Sequence, residues 1–185
     1  MADRRSRAPR PAAPSGLRIG LGVDVHPFAE GRPLVLGGVT IPGPRGLLGH
    51  SDADVLAHAA CDSYLGALGL PDLGTRFPAS DARNAGRASG VFLRDIAREA
   101  RARGYALVNL DAVLLAEAPL LQPHLAAVRR GLARALDCPE DRVSVKVKRS
   151  EGLGAIGRGE GIAAHVVVLL GPAAPARPTP RGRRR

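Results

Sequence analysis

The segment from His50 to His58, His-Ser-Asp-Ala-Asp-Val-Leu-Ala-His, combines residue types that bind metal ions and phosphate groups. Ser51 is a favourable N-cap, and Asp54 three residues later completes a variant of the capping box, which predicts a helix from about Asp52. His50 and Ser51 would then lie at the helix N-terminus, where free N–H groups and the dipole favour an anion. Asp54 and His58 would share one helix face. Taken alone, a helical histidine is more often an ordinary core or surface residue than a metal ligand.

A second pair of candidate ligands lies in the apolar run from Arg18 to His26, whose β-branched residues predict a strand. Residues two apart in a strand project from the same face, so Asp24 and His26 form a pair. With His58 they make three ligands, the usual number for a catalytic zinc site, because the fourth position stays open. Asp-x-His by itself also fits two unrelated polar residues at a strand end. The zinc prediction therefore depends on all three residues.

The composition indicates one folded domain with atypical termini. The chain has 185 residues, of which 45% are hydrophobic, enough for one core. Its net charge is +10, but residues 1–17 carry +3 and residues 172–185 carry +5. Both ends are rich in Pro, Ala and Arg and lack apolar periodicity. We therefore predict a disordered basic tail over 1–16, a domain over 17–171 and a disordered Pro/Arg-rich tail over 172–185.

Several protein classes are disfavoured. No apolar run approaches the ~20 residues of a membrane span, and no signal-peptide-like segment follows the N-terminus. Cys61 and Cys138 form no C-x-x-C motif, which favours a reducing cytoplasm. With 3% aromatic residues and no Trp, a base-stacking surface is not expected. Nucleic-acid binding would depend on the arginine-rich tails alone.

Apolar patterning predicts an α+β fold. After the first strand, a short strand pair is expected around Gly37-Gly38, followed by a loop over 43–49 and, after the first helix, a long polar loop over 70–88. We predict a mixed four-stranded sheet with helices on one face, and oligomerisation is one way to bury the other face. The helices are expected at about 52–69, 89–103 and 123–137, and the later strands at 105–115, 142–148 and 162–170.

The motifs taken together resemble the family of 2-C-methyl-D-erythritol 2,4-cyclodiphosphate synthases, cyclases of the non-mevalonate isoprenoid pathway. The resemblance runs from about Arg18 to Leu170. It is carried by Gly22-Val-Asp-Val-His26, Gly49-His-Ser-Asp-Ala-Asp54, His58, Asp72-Leu-Gly74, Phe77-Pro78 and Gly157-Arg-Gly-Glu-Gly161. It implies a homotrimer that packs the sheets together and has active sites between subunits. It also implies a zinc ion and a second divalent ion, Mg²⁺ or Mn²⁺, at each site.

The implied reaction is a metal-dependent intramolecular phosphoryl transfer. It converts 4-diphosphocytidyl-2-C-methyl-D-erythritol 2-phosphate to 2-C-methyl-D-erythritol 2,4-cyclodiphosphate plus CMP. The 2-phosphate nucleophile is already anionic at neutral pH, so a general base is scarcely needed, and we find no Ser–His–Asp or Cys–His arrangement. The obstacle is electrostatic repulsion, which two dications would offset.

The resemblance also assigns roles to single positions. Zinc would be bound by Asp24, His26 and His58, and the second ion by Glu151. The segment from Ala116 to Gln122 matches a cytosine pocket, and Arg158 with Glu160 matches the rim of a trimer channel, a possible site for an isoprenoid diphosphate. Catalytic roles are implied at His50 and Arg149, and substrate contacts at Asp24, His26, His50, Ser51, Asp72, Gly74, Phe77, Ala116, Pro119 and Arg158.

Three positions depart from the family pattern. Arg149 replaces a common Thr near the leaving phosphate, Leu120 a common Lys in the cytidine pocket, and Ala79 a common Asp in the loop after Phe77-Pro78. The Arg149 guanidinium would either make a charge-assisted contact with the α phosphate or point to solvent, leaving the contact to Lys148 or Ser150.

Three other functions remain open. The first is a non-catalytic, zinc-stabilised trimer that binds cytidine nucleotides or isoprenoid phosphates. The second is a metallohydrolase that releases a linear product. The third is a nucleic-acid-binding module that depends on the tails.

Overall fold

The computed structural model describes residues 16–84 and 86–173. Both predicted tails therefore lie outside the described residues, apart from Gly16, Pro172 and Ala173. The strands are β1 (Arg18–Glu30), β2 (Leu34–Leu36), β3 (Val39–Ile41), β4 (Arg45–Leu47), β5 (Tyr105–Leu115), β6 (Val143–Lys148) and β7 (Gly161–Pro172). The helices are α1 (Val55–Leu68), α2 (Leu73–Arg76), α3 (Ser89–Ala102), α4 (Leu125–Leu136) and α5 (Gly154–Gly157). The chain therefore has the predicted α+β composition.

The main sheet has five strands in the order β4-β1-β7-β5-β6, and β2 pairs with β3 in a separate two-stranded sheet. It is mixed, because β5 and β6 are parallel whereas β7 is antiparallel to both β1 and β5. The prediction of four strands was wrong by one. Strand β4 lies in the predicted loop 43–49 and pairs with the far end of β1, between Phe28 and Leu47. Three residues are too few for a periodic signal, so only the tertiary pairing reveals this strand.

Helices α1, α3 and α4 cover one face of the sheet, as predicted. Along β7, alternate residues such as Val166 and Val168 are buried beneath them, whereas His165 and Val167 on the other face are exposed. The alternation of buried and exposed residues along β1 is unusual. The first two buried positions are glycines, Gly20 and Gly22, and the apolar side chains between and beside them point away from the helices. Those side chains, which we call the outer apolar strip, are 49–71% exposed: Ile19, Leu21, Val23 and Val25.

The glycines of β1 allow α1 to pack unusually close to the sheet. A Cβ atom at Gly22 would lie 1.9 Å from the carbonyl oxygen of Ala59, and one at Gly20 would lie 1.9 Å from that of Ser63. Because β-strand residues two apart share a face, Asp24 continues the same row toward α1. The close approach brings the α1 side chains within hydrogen-bonding distance of β1.

Helix α1 begins three residues later than predicted, and Ser51 is not its N-cap. The helix starts at Val55, with Asp54 as N-cap accepting a hydrogen bond from the Ala57 N–H at 3.0 Å. The fully buried Asp54 carboxylate also accepts the N–H groups of Gly37 (2.9 Å) and Gly38 (2.7 Å), which ties the β2–β3 turn to the helix. Burial raises the pKa of Asp54 to about 6.

Helix α3 begins at the predicted residue, but Ser89 is its first residue rather than its cap, and its hydroxyl makes contacts elsewhere. Within the described ranges, no helix is both long and apolar enough to cross a membrane.

Candidate active site

Asp24, His26 and His58 come together where β1 passes beneath α1. The Asp24 Oδ2 atom lies 2.9 Å from His26 Nε2 and 3.1 Å from His58 Nδ1, and the two ring nitrogens are 3.2 Å apart. The strand supplies two of these atoms from one face, and the helix supplies the third. The predicted three-ligand cluster is therefore present.

Each ligand is also held through a second atom. The Asp24 Oδ1 atom accepts the Val25 N–H at 2.9 Å. The His26 Nδ1 atom lies 2.6 Å from the Leu48 carbonyl oxygen, so it carries the proton, and Nε2 keeps its lone pair for a metal. These contacts orient the donor atoms toward a common point.

The donor set fits a divalent metal ion of the zinc type. In a tetrahedral zinc site with bonds of about 2.0–2.1 Å, neighbouring ligand atoms are about 3.3 Å apart. The three observed separations, 2.9–3.2 Å, are close to that spacing. One carboxylate and two imidazoles leave a fourth position for substrate, as in catalytic sites.

The electrostatics of the cluster favour an ionised carboxylate. Burial opposes ionisation of Asp24, but hydrogen bonds and charge interactions with His26 and His58 outweigh it and lower its pKa. The hydrogen bond with Asp24 in turn raises the pKa of His26. An anionic oxygen is the form that binds a dication.

A cavity of about 310 Å³ opens beside the cluster. Its wall includes several of the predicted substrate-binding residues, together with three that the sequence did not indicate, Asp62, Asn84 and Phe92. The lining residues are Asp24, His26, Gly49, His50, Ser51, His58, Asp62, Leu73, Gly74, Phe77, Ala79, Asn84 and Phe92.

Two aromatic side chains form the outer part of this cavity. Phe77 packs on Phe92 with the ring centroids 4.8 Å apart, so the loop after α2 is held against α3. Asp72, predicted to contact substrate, is not among the lining residues. Its carboxylate caps α2 by accepting the Thr75 N–H at 2.7 Å. It positions the backbone around Gly74, which does line the cavity.

Asp62 is a wall residue that the sequence could have indicated, because it follows His58 by four positions on the same helix face. Burial raises the pKa of Asp62. Its Oδ1 atom accepts the Leu73 N–H at 2.7 Å, which joins α2 to α1 across the cavity floor.

The remaining predicted residues lie at the same end of the sheet, in the segments that follow β5 and β6 and precede β7. His26 pairs with Ile162 of β7, and Leu115 of β5 lies between Ala163 and Lys148. With strands about 4.8 Å apart, the end of β6 is about 14 Å from β1. Five of the predicted residues accordingly do not line the cavity: Ala116, Pro119, Arg149, Glu151 and Arg158.

Arg149 forms an ion pair with Glu117, next to the predicted cytosine segment. Its Nε and Nη2 atoms both donate to Glu117 Oε1, with Nε at 2.9 Å, and the side chain is 65% exposed. Glu117 Oε2 also accepts the Ser150 N–H at 3.2 Å. The hydrogen bond from Arg149 lowers the pKa of Glu117. The guanidinium is thus neither free in solvent nor directed at the cavity.

Glu151 and Arg158 both occupy exposed positions. Glu151 has φ = 49°, a left-handed conformation that is uncommon for a residue other than glycine and often occurs at functional sites. Arg158 donates from Nε to Glu160 Oε1 at 2.6 Å.

Comparison with known proteins identifies the family. The YgbB family model matches residues 17–171, and the chain belongs to this family. A relative from Chlorobium luteolum, named 2-C-methyl-D-erythritol 2,4-cyclodiphosphate synthase, is 52% identical over 154 residues, covering 83% of this chain and 98% of the relative. The resemblance predicted from the sequence is therefore confirmed.

Two solved structures share the fold. The bifunctional IspDF from Campylobacter jejuni matches with a TM-score of 0.81 and 41% identity, over 85% of this chain and 43% of that longer chain. A 2C-methyl-D-erythritol-2,4-cyclodiphosphate synthase in its CDP-bound form matches with a TM-score of 0.77 and 45% identity, over 83% of this chain and all of that one.

Proposed function

We propose that this protein is an enzyme, a phosphorus–oxygen lyase that converts 4-diphosphocytidyl-2-C-methyl-D-erythritol 2-phosphate to 2-C-methyl-D-erythritol 2,4-cyclodiphosphate and CMP. The observation that carries the proposal is the Asp24–His26–His58 cluster on the wall of a cavity, in a chain of the YgbB family. The names of the similar proteins support the same reaction.

In this reaction the 2-phosphate oxygen attacks the β phosphorus. The bond from that phosphorus to the bridging oxygen breaks, and CMP leaves with the bridging oxygen. Zinc bound by the three-residue cluster, and Mg²⁺ or Mn²⁺ bound by Glu151, would supply positive charge that offsets repulsion between the phosphate groups. The protein's contribution is to hold both phosphates in line, which also offsets the entropy cost of closing an eight-membered ring.

The cavity residues have roles suited to the methylerythritol phosphate. Ser51 and the backbone at Gly74 offer hydrogen-bond donors, and His50 at the exposed rim can donate from its ring. The methyl-bearing carbon chain would contact Phe77, whose ring is already fixed by Phe92. Asp72 acts through the α2 N-terminus that it caps.

The nucleotide half of the site requires a second copy of the chain. Within one chain, Ala116 and Pro119 follow β5, two strand spacings or about 10 Å from β1, and Arg149 and Glu151 follow β6, three spacings or about 14 Å from β1. The outer apolar strip also needs a partner to cover it. We therefore propose a homotrimer in which these residues complete the cavity of a neighbouring subunit. Arg158 would then face a central channel, where its charge favours a phosphate or an isoprenoid diphosphate.

Both cysteines are free thiols, with Cys61 buried and Cys138 partly buried, which supports a reducing compartment such as the cytoplasm.

In the decisive experiment, the purified full-length protein is incubated with the cytidyl substrate and Mg²⁺, and the products are followed by phosphorus NMR. We expect CMP and the cyclic diphosphate to form together. His58→Ala should remove zinc and activity while leaving the protein folded, whereas His124→Ala, outside the cavity, should retain its zinc. Full zinc occupancy in the His58→Ala variant would contradict the ligand assignment.

The same experiment separates the other functions. Binding of CMP without turnover would indicate the non-catalytic trimer. A linear product would indicate a metallohydrolase. The ion-binding cluster and family membership favour the cyclase over both, and they leave nucleic-acid binding without support from the described residues.

A further inference from the structure

Ser89 contacts the ring nitrogen of His58 that does not face the other ligands, and Asp52 contacts Ser89. We propose that these two residues form a positioning relay, in which Asp52 orients Ser89 and Ser89 orients His58 for metal binding. The inference rests on the metal site proposed above. Neither residue was indicated as a functional residue by the sequence.

The relay is a continuous chain of hydrogen bonds. Ser89 Oγ lies 2.8 Å from His58 Nε2, and it also forms a short hydrogen bond with Asp52 Oδ1. The Asp52 carboxylate accepts the Ser89 N–H as well, with distances of 3.2 Å to Oδ1 and 3.1 Å to Oδ2. Ser89 is therefore held by its backbone and by its side chain, and it is fully buried.

The chemistry of the three groups determines the direction of each bond. An ionised carboxylate only accepts, so the Ser89 hydroxyl must donate its single proton to Asp52. Its oxygen lone pairs then face His58 Nε2, which must carry a proton. A metal would therefore be bound by the lone pair of the other nitrogen, Nδ1, which lies 3.1 Å from Asp24 Oδ2.

Ser51 contributes a weaker contact to the same nitrogen. Its Oγ atom lies 3.2 Å from both His58 Nε2 and Ser89 Oγ, and it accepts the Ala53 N–H at 3.2 Å. Ser51 is a cavity residue, so it is available to substrate. Ser89 is fully buried and does not line the cavity, so its hydroxyl orients His58 without contacting substrate.

A relay of this kind acts on affinity for the metal. It fixes the plane of the imidazole and its tautomer, and the distant carboxylate makes the ligating nitrogen a better donor. Loss of such an outer contact typically lowers metal affinity by about 10–100-fold. The ring of His26 is oriented in the same way by the 2.6 Å contact between its Nδ1 atom and the Leu48 carbonyl oxygen.

The test compares Ser89→Ala with Ser63→Ala in the full chain, measuring the zinc dissociation constant by competition with a chelator. Ser63 is also fully buried, but its hydroxyl donates to the Ala60 carbonyl oxygen at 2.7 Å. We expect Ser89→Ala to weaken zinc binding by at least about tenfold, and Ser63→Ala by less than about twofold. Equal affinities in the two variants would overturn the proposal.

A second measurement does not depend on metal. Nitrogen-15 NMR of the metal-free protein near neutral pH reports whether His58 Nε2 carries a proton. The wild type should show Nε2 protonated, and Ser89→Ala should show an increased population of rings with Nε2 unprotonated. A wild-type ring with Nε2 mainly unprotonated would refute the relay, whether or not the protein binds zinc.

If the Ser89→Ala variant does not fold, zinc binding by Asp52→Asn provides an alternative test. The amide keeps one acceptor oxygen for the Ser89 hydroxyl, replaces the other oxygen with a donor group, and removes the charge. We expect a loss of zinc affinity smaller than that of Ser89→Ala but larger than that of Ser63→Ala. An unchanged affinity would show that the carboxylate does not act on His58. If the wild type itself bound no zinc, the metal site would fail, and the tautomer measurement would still decide the relay.

Discussion

Each of the three candidate metal ligands is fixed by a contact on the side away from the shared centre. His26 is held by the Leu48 carbonyl, Asp24 by the Val25 N–H, and His58 by the buried hydroxyl of Ser89. Such contacts restrict the rotamers before a metal arrives, so less conformational entropy is lost on binding. The cluster is therefore preorganised by residues that do not line the cavity.

Arg149 is one of the three positions that depart from the predicted family pattern. Its guanidinium pairs with Glu117, which ties it to the segment that begins at Ala116. We expect Arg149→Ala to raise KM for the cytidyl substrate severalfold and to lower kcat by less than about tenfold. Steady-state kinetics measures both.

The matched control for Arg149 is Arg129→Ala. Arg129 is another exposed arginine paired with a glutamate, Glu140, at 3.2 Å, and it lies on α4. Its loss should change neither constant, because exposed ion pairs contribute about 0–1 kcal/mol. A fall of tenfold or more in kcat for Arg149→Ala, with KM unchanged, would instead indicate a direct contact with the departing phosphate, of about 1.5–3 kcal/mol.

At the scale of elements, the contact between β1 and α1 decides whether the site exists. Gly22→Ala would place a methyl group 1.9 Å from the Ala59 carbonyl oxygen, so the helix must move away from the strand. We expect a loss of roughly 3 kcal/mol in the free energy of unfolding, and weaker zinc binding because His58 moves with the helix. Urea denaturation and chelator competition measure the two effects.

Gly43→Ala is the control for Gly22→Ala. Gly43 has open space around its Cβ position and no positive φ, so alanine should be tolerated there. Zinc affinity equal to wild type in a folded Gly22→Ala variant would show that the close approach is not what positions His58.

Asp54 joins α1 to the β2–β3 turn and makes this link sensitive to pH. Its ordinary pKa of 3.8 is raised by burial to about 6. The folded state therefore binds a proton more tightly than the unfolded state, and this stabilisation is full below pH 3.8 and is lost as the pH rises through about 6.

The prediction compares wild type with Asp54→Asn, which cannot titrate, in metal-free protein. The free energy of unfolding of the wild type, minus that of the variant, should fall between about pH 4 and pH 6.5 and then level off. Urea titrations across this range provide the measurement. A difference that rises with pH would mean that the three N–H donors outweigh burial and lower the pKa instead.

At the scale of the whole molecule, one chain exposes the outer apolar strip on β1. The predicted nucleotide residues follow β5 and β6, two to three strands away from β1. The proposed assembly, which packs the sheet faces together, would cover the strip and bring these residues to the cluster of a neighbouring chain.

Leu21→Asp should disrupt that assembly. A charge in the outer apolar strip would be buried without a partner, which typically costs several kcal/mol. Light scattering coupled to size exclusion should show monomers, with activity lost although zinc remains bound. Arg130→Glu, an equally exposed charge change on α4, should keep the wild-type mass. A Leu21→Asp variant with the wild-type mass would exclude this face as the interface.

The sequence by itself determined the chemistry of the site and most of its supporting elements. The two-residue spacing of Asp24 and His26 requires them to share a strand face, and the apolar periodicity of 89–103 requires an amphipathic helix. Strand β5 was predicted with the bounds that the structure has, Tyr105–Leu115. These features are local, because strand and helix periods are properties of the backbone that any short stretch of sequence reveals.

Only the tertiary structure decided which helix cap forms, which strand extends the sheet and what holds His58. Ser51 and Asp54 are both competent caps, and Asp54 is used because Gly37 and Gly38 bring their N–H groups to its carboxylate. Strand β4 exists only through its pairing with β1. Ser89 is 31 residues from His58 and reaches it only because α3 packs against α1. Contacts between residues so far apart depend on how whole elements pack, and no periodic pattern in the sequence records that packing.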